Sequence, residues 1–239
     1  MSPDKRHHRG PHPQDLSLFS QSQYPALHQA FHDLLWLLNH DYALNSSMKL
    51  VGDKFGLNKR QRLAVTRSIC TDEQLKQRHT KGISLEKTSN RALLIDGFNI
   101  LITLESALSG GLILKSKDGC YRDLASVHGS YRSVDETTEA LKLVGNCLSR
   151  LHLKEVIWYL DKPVSNSGKL ASHIRKLAGT NHWPWQVEVV FNPDAVLKQA
   201  EYPVVTSDSS ILDEVALWIN LARTIIDSEI SSAWIVDFV

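Results

Sequence analysis

The sequence predicts an α/β protein with a mainly parallel central sheet covered on both faces, preceded by a small all-α domain. In the second part of the chain, from residue 91, short and almost continuously apolar segments alternate with helical segments, a pattern typical of parallel sheets. In the first part, apolar residues recur at helical spacing. The predicted strands are 92–95, 155–160, 187–191, 203–206 and 233–236, and the predicted helices between them are 134–151, 169–178 and 209–226.

Apolar residues of the first part lie on one face of a predicted helix, with Pro25 near its first turn. They are Leu27, Phe31, Leu34, Leu35 and Leu38. A second short helix is predicted over 47–55. Asn58 is the predicted N-cap of a third, with Gln61 three residues later as in a capping box.

Changes in composition predict where the parts of the chain begin and end. We expect a disordered tail at 1–14, a helical domain at 15–80, a linker at 81–90 and the α/β domain at 91–239.

Composition is that of an ordinary globular protein, with 42% hydrophobic and 22% charged residues. No apolar run approaches the roughly 20 residues of a membrane span, and the N-terminus lacks the apolar core of a secretory signal. The cysteines Cys70, Cys120 and Cys147 are far apart, which argues against a zinc site or disulfide framework. We therefore expect a cytoplasmic protein with no membrane partner.

Charge is unevenly distributed along the chain, although the net charge is only +1. Residues 1–90 hold 13 Lys and Arg against 8 Asp and Glu, whereas 91–239 hold 14 against 18. A basic module joined to an acidic one suggests a polyanion bound by the first and metal ions bound by the second. Arg60, Arg62 and Arg67 on the third helix are the candidate RNA contacts; the alternative is a solvated basic face.

Three predicted strands end on an aspartate: Asp96, Asp161 and Asp208. The carboxyl ends of neighbouring parallel strands meet at one edge of a sheet, where ligands bind. Unpaired carboxylates repel one another there, and Mg²⁺ or Mn²⁺ with oxygen ligands is the usual remedy. The alternative is three separate helix caps.

The stretches LLIDGFNI, WYLDKPVSNSG and VVTSDSSIL together resemble the PIN-like nuclease superfamily, which includes the NYN and flap-endonuclease branches. The resemblance covers roughly 91–239. It implies a three-layer α/β/α fold with acidic residues around one or two Mg²⁺ or Mn²⁺ ions, and hydrolysis of phosphodiesters, most often in RNA. The whole chain also resembles a family that pairs a short helical domain of unknown function with a PIN-like domain.

The resemblance assigns roles residue by residue. Asp96 matches the first carboxylate of the superfamily, Asn99 the polar residue that follows it, Asp161 the strand-end carboxylate and Asp208 the late one. Asp213, five residues later, is either a fourth metal ligand or an exposed first-turn acid.

A further carboxylate from a central helix is matched loosely. Asp135, Glu136 and Glu139 are available, and we prefer Glu136 because it lies at the edge of the predicted apolar stripe.

Two further segments carry polar residues close to the predicted site. Residues 117–132 predict a hairpin turned at Asp118-Gly119, with Arg122 or Asp123 reaching the site. Arg122 would contact the reacting phosphate; a purely structural Arg122 is the alternative. Ser165, Ser167 and Lys169 at a helix start are either phosphate contacts or plain N-caps.

These observations together predict a metal-dependent endoribonuclease that requires Mg²⁺ or Mn²⁺ and acts on single-stranded or structured RNA. The alternative is a non-catalytic RNA-binding or protein-interaction module of the same fold. Oligomeric state stays open, with a homodimer among the alternatives.

Overall fold

The computed structural model describes residues 8–125 and 131–239. Its N-terminal region is helical, as predicted. Two helices carry complete capping boxes, from Asn58 with Gln61 and from Thr71 with Gln74; the second was not recognised in the sequence. The helices are α1 (Asp15–Leu18), α2 (Tyr24–Asn39), α3 (Leu44–Lys54), α4 (Lys59–Ser68) and α5 (Asp72–Lys81).

The α/β region is built on a parallel sheet of five strands, counted over the described residues, which confirms the predicted fold class. Its strands are β1 (Ala92–Asp96), β4 (Glu155–Asp161), β5 (Trp185–Val190), β6 (Val204–Val205) and β7 (Trp218–Ile219). The intervening helices are α6 (Gly97–Leu108), α7 (Thr137–Ser149), α8 (Ser167–Asn181), α9 (Pro193–Lys198), α10 (Ser209–Leu212) and α11 (Leu221–Glu229).

The strand order β5-β4-β1-β6-β7 places β1 at the centre. The chain builds outward from β1 to β4 and β5 on one side, then returns to add β6 and β7 on the other. The direction of winding therefore reverses between β1 and β6, and ligands of open α/β sheets bind at such a switch point.

Alternate strand residues face different helices. Leu93 and Ile95 of β1 pack in one core with residues of α6, α7, α8 and α11. Leu94 packs in a smaller core with Leu197 of α9 and Ile211 of α10. Because side chains alternate along a strand, Asp96 lies on the α9 side with Leu94.

A second sheet was not predicted. It pairs β2 (Leu112–Lys115) antiparallel with β3 (Tyr121–Asp123) and parallel with β8 (Trp234–Asp237). The predicted hairpin is present, with Gly119 at φ 81° in its turn. The strand predicted at 233–236 therefore belongs to this sheet, and the helix predicted at 209–226 is interrupted by β7.

The N-terminal helices pack on this second sheet, so the helical region is not an appendage. One continuous core contains Leu27, Phe31 and Val65 of the helices together with Leu114 and Phe238 of the sheet region. Burial of this face joins the two regions into one packed unit.

The predicted linker and tail are also packed, where they are described. Within 81–90, Leu85 is buried in the main core and the Ile83 amide donates to the Trp218 carbonyl at 3.0 Å. In the tail, Arg9 forms an ion pair with the buried Glu105. Residues 1–7, including His7, lie outside the described residues, as does 126–130, which includes His128.

Across the described chain, no helix is long and apolar enough to cross a membrane.

Leu114→Ala tests whether both regions unfold together. Leu114 is fully buried in the shared core, so its truncation should lower the free energy of unfolding by ~2–5 kcal/mol. Urea denaturation followed by circular dichroism should show one cooperative transition displaced to lower urea. Leu50→Ala, at a side chain 64% exposed, is the control and should change stability by at most ~0.5 kcal/mol. Two separate transitions, of which only one moves, would contradict shared packing.

Candidate functional site

Three strand-end aspartates lie at one edge of the parallel sheet. Asp96 ends β1 and Asp161 ends β4, which pairs directly with β1; Asp208 follows β6, which pairs with β1 on its other side. By alternation Asp161 lies on the same face as Asp96, because Ile157 and Tyr159 of β4 pack toward the α9 core. The three aspartates therefore follow neighbouring strands, as predicted.

Asp96 is the most buried of these carboxylates, at 8% exposure. One of its oxygens, Oδ2, accepts a hydrogen bond from the Thr206 hydroxyl at 2.8 Å. Burial raises the pKa of Asp96 to about 7; the Thr206 bond opposes this, and the nearby negative charges of Asp208, Asp194 and Asp161 add to it. Asp96 is therefore a buried acid close to several other acids. No positively charged side chain is among the groups that shift its pKa.

Asp194 joins this group and was missed in the sequence. It lies in the first turn of α9, where the Asn192 side chain accepts from the Ala195 amide at 3.1 Å as the N-cap. Burial, followed by the charge of Asp208, raises the pKa of Asp194, while Lys198 opposes the shift. The signal was present: Asn-Pro-Asp directly follows a predicted strand, but only strands that themselves end on Asp were considered.

Capping explains one of the strand-end aspartates. Asp208 Oδ1 accepts from the Ser210 amide at 2.8 Å and from its hydroxyl at 2.7 Å, which makes Asp208 the N-cap of α10. Asp96 occupies the N-cap position of α6, yet in the described structure its side chain makes no capping hydrogen bond. For Asp161, burial and the charge of Asp194 raise the pKa. The alternative of three separate caps thus accounts for Asp208 alone.

Asn99 ties the first turn of α6 to the segment after β6. Its Oδ1 accepts from both the amide and the hydroxyl of Ser207, each at 2.9 Å. Gly97 allows the close approach that this turn requires, since a Cβ there would lie 2.6 Å from a Leu160 methyl and 2.8 Å from the Tyr159 carbonyl. Asn99 therefore holds Ser207, and with it Asp208, beside Asp96.

Arg122 has a different role from the predicted phosphate contact. It is buried, and its guanidinium donates two hydrogen bonds to Asp118, at 2.9 and 2.7 Å, and one to the Ser207 carbonyl at 2.7 Å. Asp118 also accepts from Arg78 of α5 at 2.6 Å. The side chain that was expected to reach a phosphate instead fixes the backbone next to Asp208.

Asp213 is not part of the acidic group. Its carboxylate accepts from Arg78 Nε at 2.7 Å and from the Gln74 side chain at 2.9 Å. The prediction of a fourth metal ligand is therefore corrected: Asp213 is an ion-pair partner of α5. We call Arg78, Asp118, Arg122 and Asp213 together the arginine–aspartate network.

Glu136 contacts the N-terminal segment. It is the N-cap residue of α7, and its Oε1 lies 2.6 Å from Nδ1 of His8. Glu136 is not among the charges that act on Asp96. A different acid, Glu105 of α6, is buried and accepts hydrogen bonds from Tyr131 and Thr137, at 2.5 and 2.6 Å, so it too serves local packing.

The three arginines predicted to bind RNA are engaged within the protein. Arg60 pairs with the buried Asp15, at 2.8 Å for its Nη2. Arg62 pairs with Asp53 at 2.8 Å and donates to the Leu57 carbonyl at 2.7 Å. Arg67 donates to the carbonyl oxygens of Asp123 and Ala125, at 2.5 and 3.2 Å. These contacts hold α4 to its neighbours, so the three arginines have a structural role.

Of the three polar residues at the start of α8, one is hydrogen-bonded within the protein and two are exposed to solvent. The buried Ser167 hydroxyl donates to the carbonyls of Asp161 and Val164, so it acts within the turn. Ser165 and Lys169 are exposed next to the end of β4. Of these three predicted phosphate contacts, Ser165 and Lys169 remain accessible.

The acidic group offers only oxygen donors, as hard cations prefer, but no closed cage. Over 8–125 and 131–239, no three His, Cys, Asp or Glu side chains converge closely enough to enclose an ion. Mg²⁺ retains several waters and needs only one or two direct carboxylates. The carboxylates of Asp96, Asp208, Asp194 and Asp161 are the oxygen donors available at this edge of the sheet.

Comparison with known sequences places the chain in a family. The model of the family described as Domain of unknown function (DUF5616) matches residues 85–224. The chain belongs to this family. A second model, Protein of unknown function (DUF434), matches residues 26–81. A protein of Methanocaldococcus jannaschii, named Uncharacterized protein MJ0935, is 34% identical over 187 residues, 78% of this chain and 89% of that relative. No solved structure matches the chain.

The matched ranges follow the structural regions. The DUF434 match ends at residue 81, the last residue of α5, and the DUF5616 match begins at residue 85 and contains the whole acidic group. The arginine–aspartate network spans this boundary, because Arg78 lies in the first match and its carboxylate partners Asp118 and Asp213 in the second.

Asp96→Asn should stabilise the protein in a pH-dependent way. The folded pKa of about 7 exceeds the ordinary value of 3.8, so the folded state holds this proton more tightly, and wild-type stability falls as pH rises from about 4 through 7. Each pKa unit corresponds to about 1.36 kcal/mol. The variant's gain in unfolding free energy, measured in EDTA, should be small at pH 4 and reach its maximum above pH 7.

The control for this measurement is Asp33→Asn, at a half-exposed carboxylate paired with Lys54, a change that leaves the acidic group untouched. A gain for Asp96→Asn that is equal at pH 4 and pH 8 would contradict a carboxyl held protonated by burial.

Arg122→Ala should cost ~3–5 kcal/mol of stability, because it removes one member of a buried ion-pair set. Arg122→Lys, which retains the charge but loses the paired hydrogen bonds, should have a stability between that of Arg122→Ala and that of the wild type. Chemical denaturation measures both. Arg62→Ala, at a partly exposed ion pair, is the matched control and should lose at most ~1 kcal/mol. A loss within ~1 kcal/mol for Arg122→Ala would contradict the structural role.

Proposed function

We propose that the protein is a metal-dependent endoribonuclease with a PIN-like α/β domain. The observation that carries the proposal is the group of acids at the switch point between β1 and β6, with the buried Asp96 at its centre. Four carboxylates that repel one another destabilise the folded protein, and a bound cation would offset this repulsion. The resemblance of 91–239 to PIN-like nucleases supports the choice of reaction.

Asp96, Asp208, Asp194 and Asp161 would hold Mg²⁺ or Mn²⁺. When bound, such an ion activates a water and stabilises charge on the scissile phosphate. Asn99 and Thr206 orient the carboxylates: Thr206 donates to Asp96, and Asn99 holds the Ser207 backbone next to Asp208. Ser165 and Lys169, exposed at the start of α8, would contact the phosphate backbone of RNA.

Cysteine state supports a cytoplasmic location for this activity. Cys70 and Cys120 are buried free thiols and Cys147 is half-buried and free. Unpaired thiols are typical of a reducing compartment.

A protein-interaction role for the helical region is the second candidate. A groove between α2 and α3 is lined by Trp36, Leu37, Leu50 and Val51, with Asp33 and Lys54 at its rim. Trp36 is 57% and Leu50 64% exposed. Exposed apolar side chains around a groove are typical of protein docking sites, and the engaged arginines of α4 favour this role for the region over RNA binding.

Asp96→Asn should abolish RNA cleavage while the protein stays folded. Labelled single-stranded RNA would be incubated with the full chain and Mn²⁺, Mg²⁺ or EDTA, and cleavage should require the metal. Loss of the central carboxylate should slow cleavage at least ~10²-fold, as for removal of one transition-state contact. Asp237→Asn, at an exposed carboxylate of the second sheet paired with Lys115, is the control and should cleave normally. Cleavage at the wild-type rate by Asp96→Asn would refute the proposed function.

A further inference from the structure

Two histidines of α2 lie against each other on the solvent side of the helix. His28 and His32 are both exposed, and their Nε2 atoms are 3.2 Å apart. Residues four apart on an α-helix are neighbours on one face, so the backbone of α2 itself brings the two rings together. The same ring nitrogen of each histidine therefore points to a common position in solvent.

The helix that carries this pair is held from its other side. Leu27, Phe31 and Leu34 are buried on the inner face of α2, in the core shared with the second sheet. The two histidines are thus presented on a helix that is already formed and fixed. A ligand that joins them does not have to order the chain first, which lowers the free-energy cost of binding.

The separation of the two nitrogens fits coordination of one transition-metal ion. Bonds from Zn²⁺ to histidine nitrogen are about 2.0–2.1 Å long, so two nitrogens 3.2 Å apart subtend roughly 100° at the metal. This angle is close to that of tetrahedral coordination, the usual geometry of Zn²⁺ in proteins. Imidazole suits Zn²⁺, Ni²⁺ and Cu²⁺, whereas Mg²⁺ and Mn²⁺ suit oxygen ligands.

Neighbouring polar groups have other partners. His40, a third exposed histidine of α2, has its Nδ1 2.7 Å from the Trp36 carbonyl oxygen and its ring stacked on that of Trp36. Asp33, the acid next to His32 in the chain, forms an ion pair with Lys54. In the described part of the chain no third His, Cys, Asp or Glu joins the pair, so water would complete the coordination of an ion.

A hydrogen bond between the two rings is the alternative explanation of their approach. At 3.2 Å it lies at the long end of the range for N–H donors, and because both rings are exposed, water competes for it and its net contribution is small. The two explanations differ in where the ring protons lie. A hydrogen bond needs one protonated Nε2, whereas a metal needs both Nε2 atoms free, with the proton of each ring on Nδ1.

We propose that His28 and His32 form a surface site for one Zn²⁺, Ni²⁺ or Cu²⁺ ion. The site lies on the helical region and does not depend on the proposed nuclease activity. The bound ion joins two successive turns of α2 and stabilises the folded state, in which alone the two nitrogens are held at this separation. Because α2 contributes to the shared core, the ion raises the stability of the whole packed unit.

Zinc binding by the full chain tests the site. Zn²⁺ is titrated calorimetrically in excess Mg²⁺, which fills any site for hard cations in the acidic group. The wild type should bind one Zn²⁺ that depends on the pair, and its Tm should rise with Zn²⁺ concentration. His28→Ala and His32→Ala should each weaken this binding at least ~10-fold, because loss of a direct ligand should cost no less than loss of a residue that orients one.

Two controls locate the ion. His40→Ala removes the histidine that is engaged with Trp36, and His8→Ala combined with His12→Ala removes two histidines of the N-terminal segment. Both variants should bind Zn²⁺ as the wild type does. Absence of Zn²⁺ binding by the wild type would overturn the site. Undiminished binding after loss of both His28 and His32, or binding lost in the N-terminal variant, would show that the ion binds elsewhere and would overturn it as well.

Discussion

The carboxylate of Asp118 is the contact on which the arrangement of the structure depends. Burial alone would raise its pKa, but the guanidinium of Arg122 and that of Arg78 lower it to about 2. The carboxylate is therefore ionised at neutral pH. It joins three segments: α5 through Arg78, its own hairpin, and the loop after β6 through Arg122 and the Ser207 carbonyl. Removing either arginine leaves the buried Asp118 carboxylate with only one positively charged partner. Breaking a buried ion pair in this way strongly destabilises the fold.

Two buried acids of this protein have opposite environments. Asp118 is compensated by two guanidiniums and has a lowered pKa, whereas Asp96, facing Asp208, Asp194 and Asp161, has a raised one. The first arrangement is what folding requires of a buried charge. The second costs stability, and strongly perturbed acids in a cleft are found at functional sites more often than elsewhere. The environment of Asp118 is thus one that stabilises the fold, and the raised pKa of Asp96 is consistent with the proposed metal site.

Much of this organisation could be predicted from the sequence, because it depends on local periodicity. The strand ends at Asp96 and Asp161, the capping box at Asn58 and the hairpin turn at Gly119 each have a local signal. The second sheet could not be predicted in this way: β8 reads as one more apolar strand, and its pairing with β2 depends on contacts about 120 residues apart along the chain. Periodicity tells that a strand exists but not which sheet it joins.

The same limit explains the errors about charged residues. The charge of Arg60 and Arg67 predicts RNA contacts, yet their partners Asp15 and Asp123 are set by tertiary packing. Arg122 pairs with Asp118, only four residues away in its own hairpin, so its structural role had a local signal. A basic helix face predicts polyanion binding only if its cations lack acidic partners in the fold. Asp194 has a local signal, Asn-Pro-Asp after a predicted strand, but its approach to the other acids depends on how α9 packs against the strand ends.

Shared packing changes what the helical region contributes to the site. Its arginines do not face outward as a polyanion-binding surface, but Arg78 reaches across the boundary between the two matched families to the hairpin and to Asp213. Through Asp118 and Arg122 this contact ends at Ser207, whose amide and hydroxyl also bind Asn99. Asp208 is the next residue. A continuous chain of contacts, Arg78–Asp118–Arg122–Ser207, thus connects the helical region to the backbone that carries Asp208.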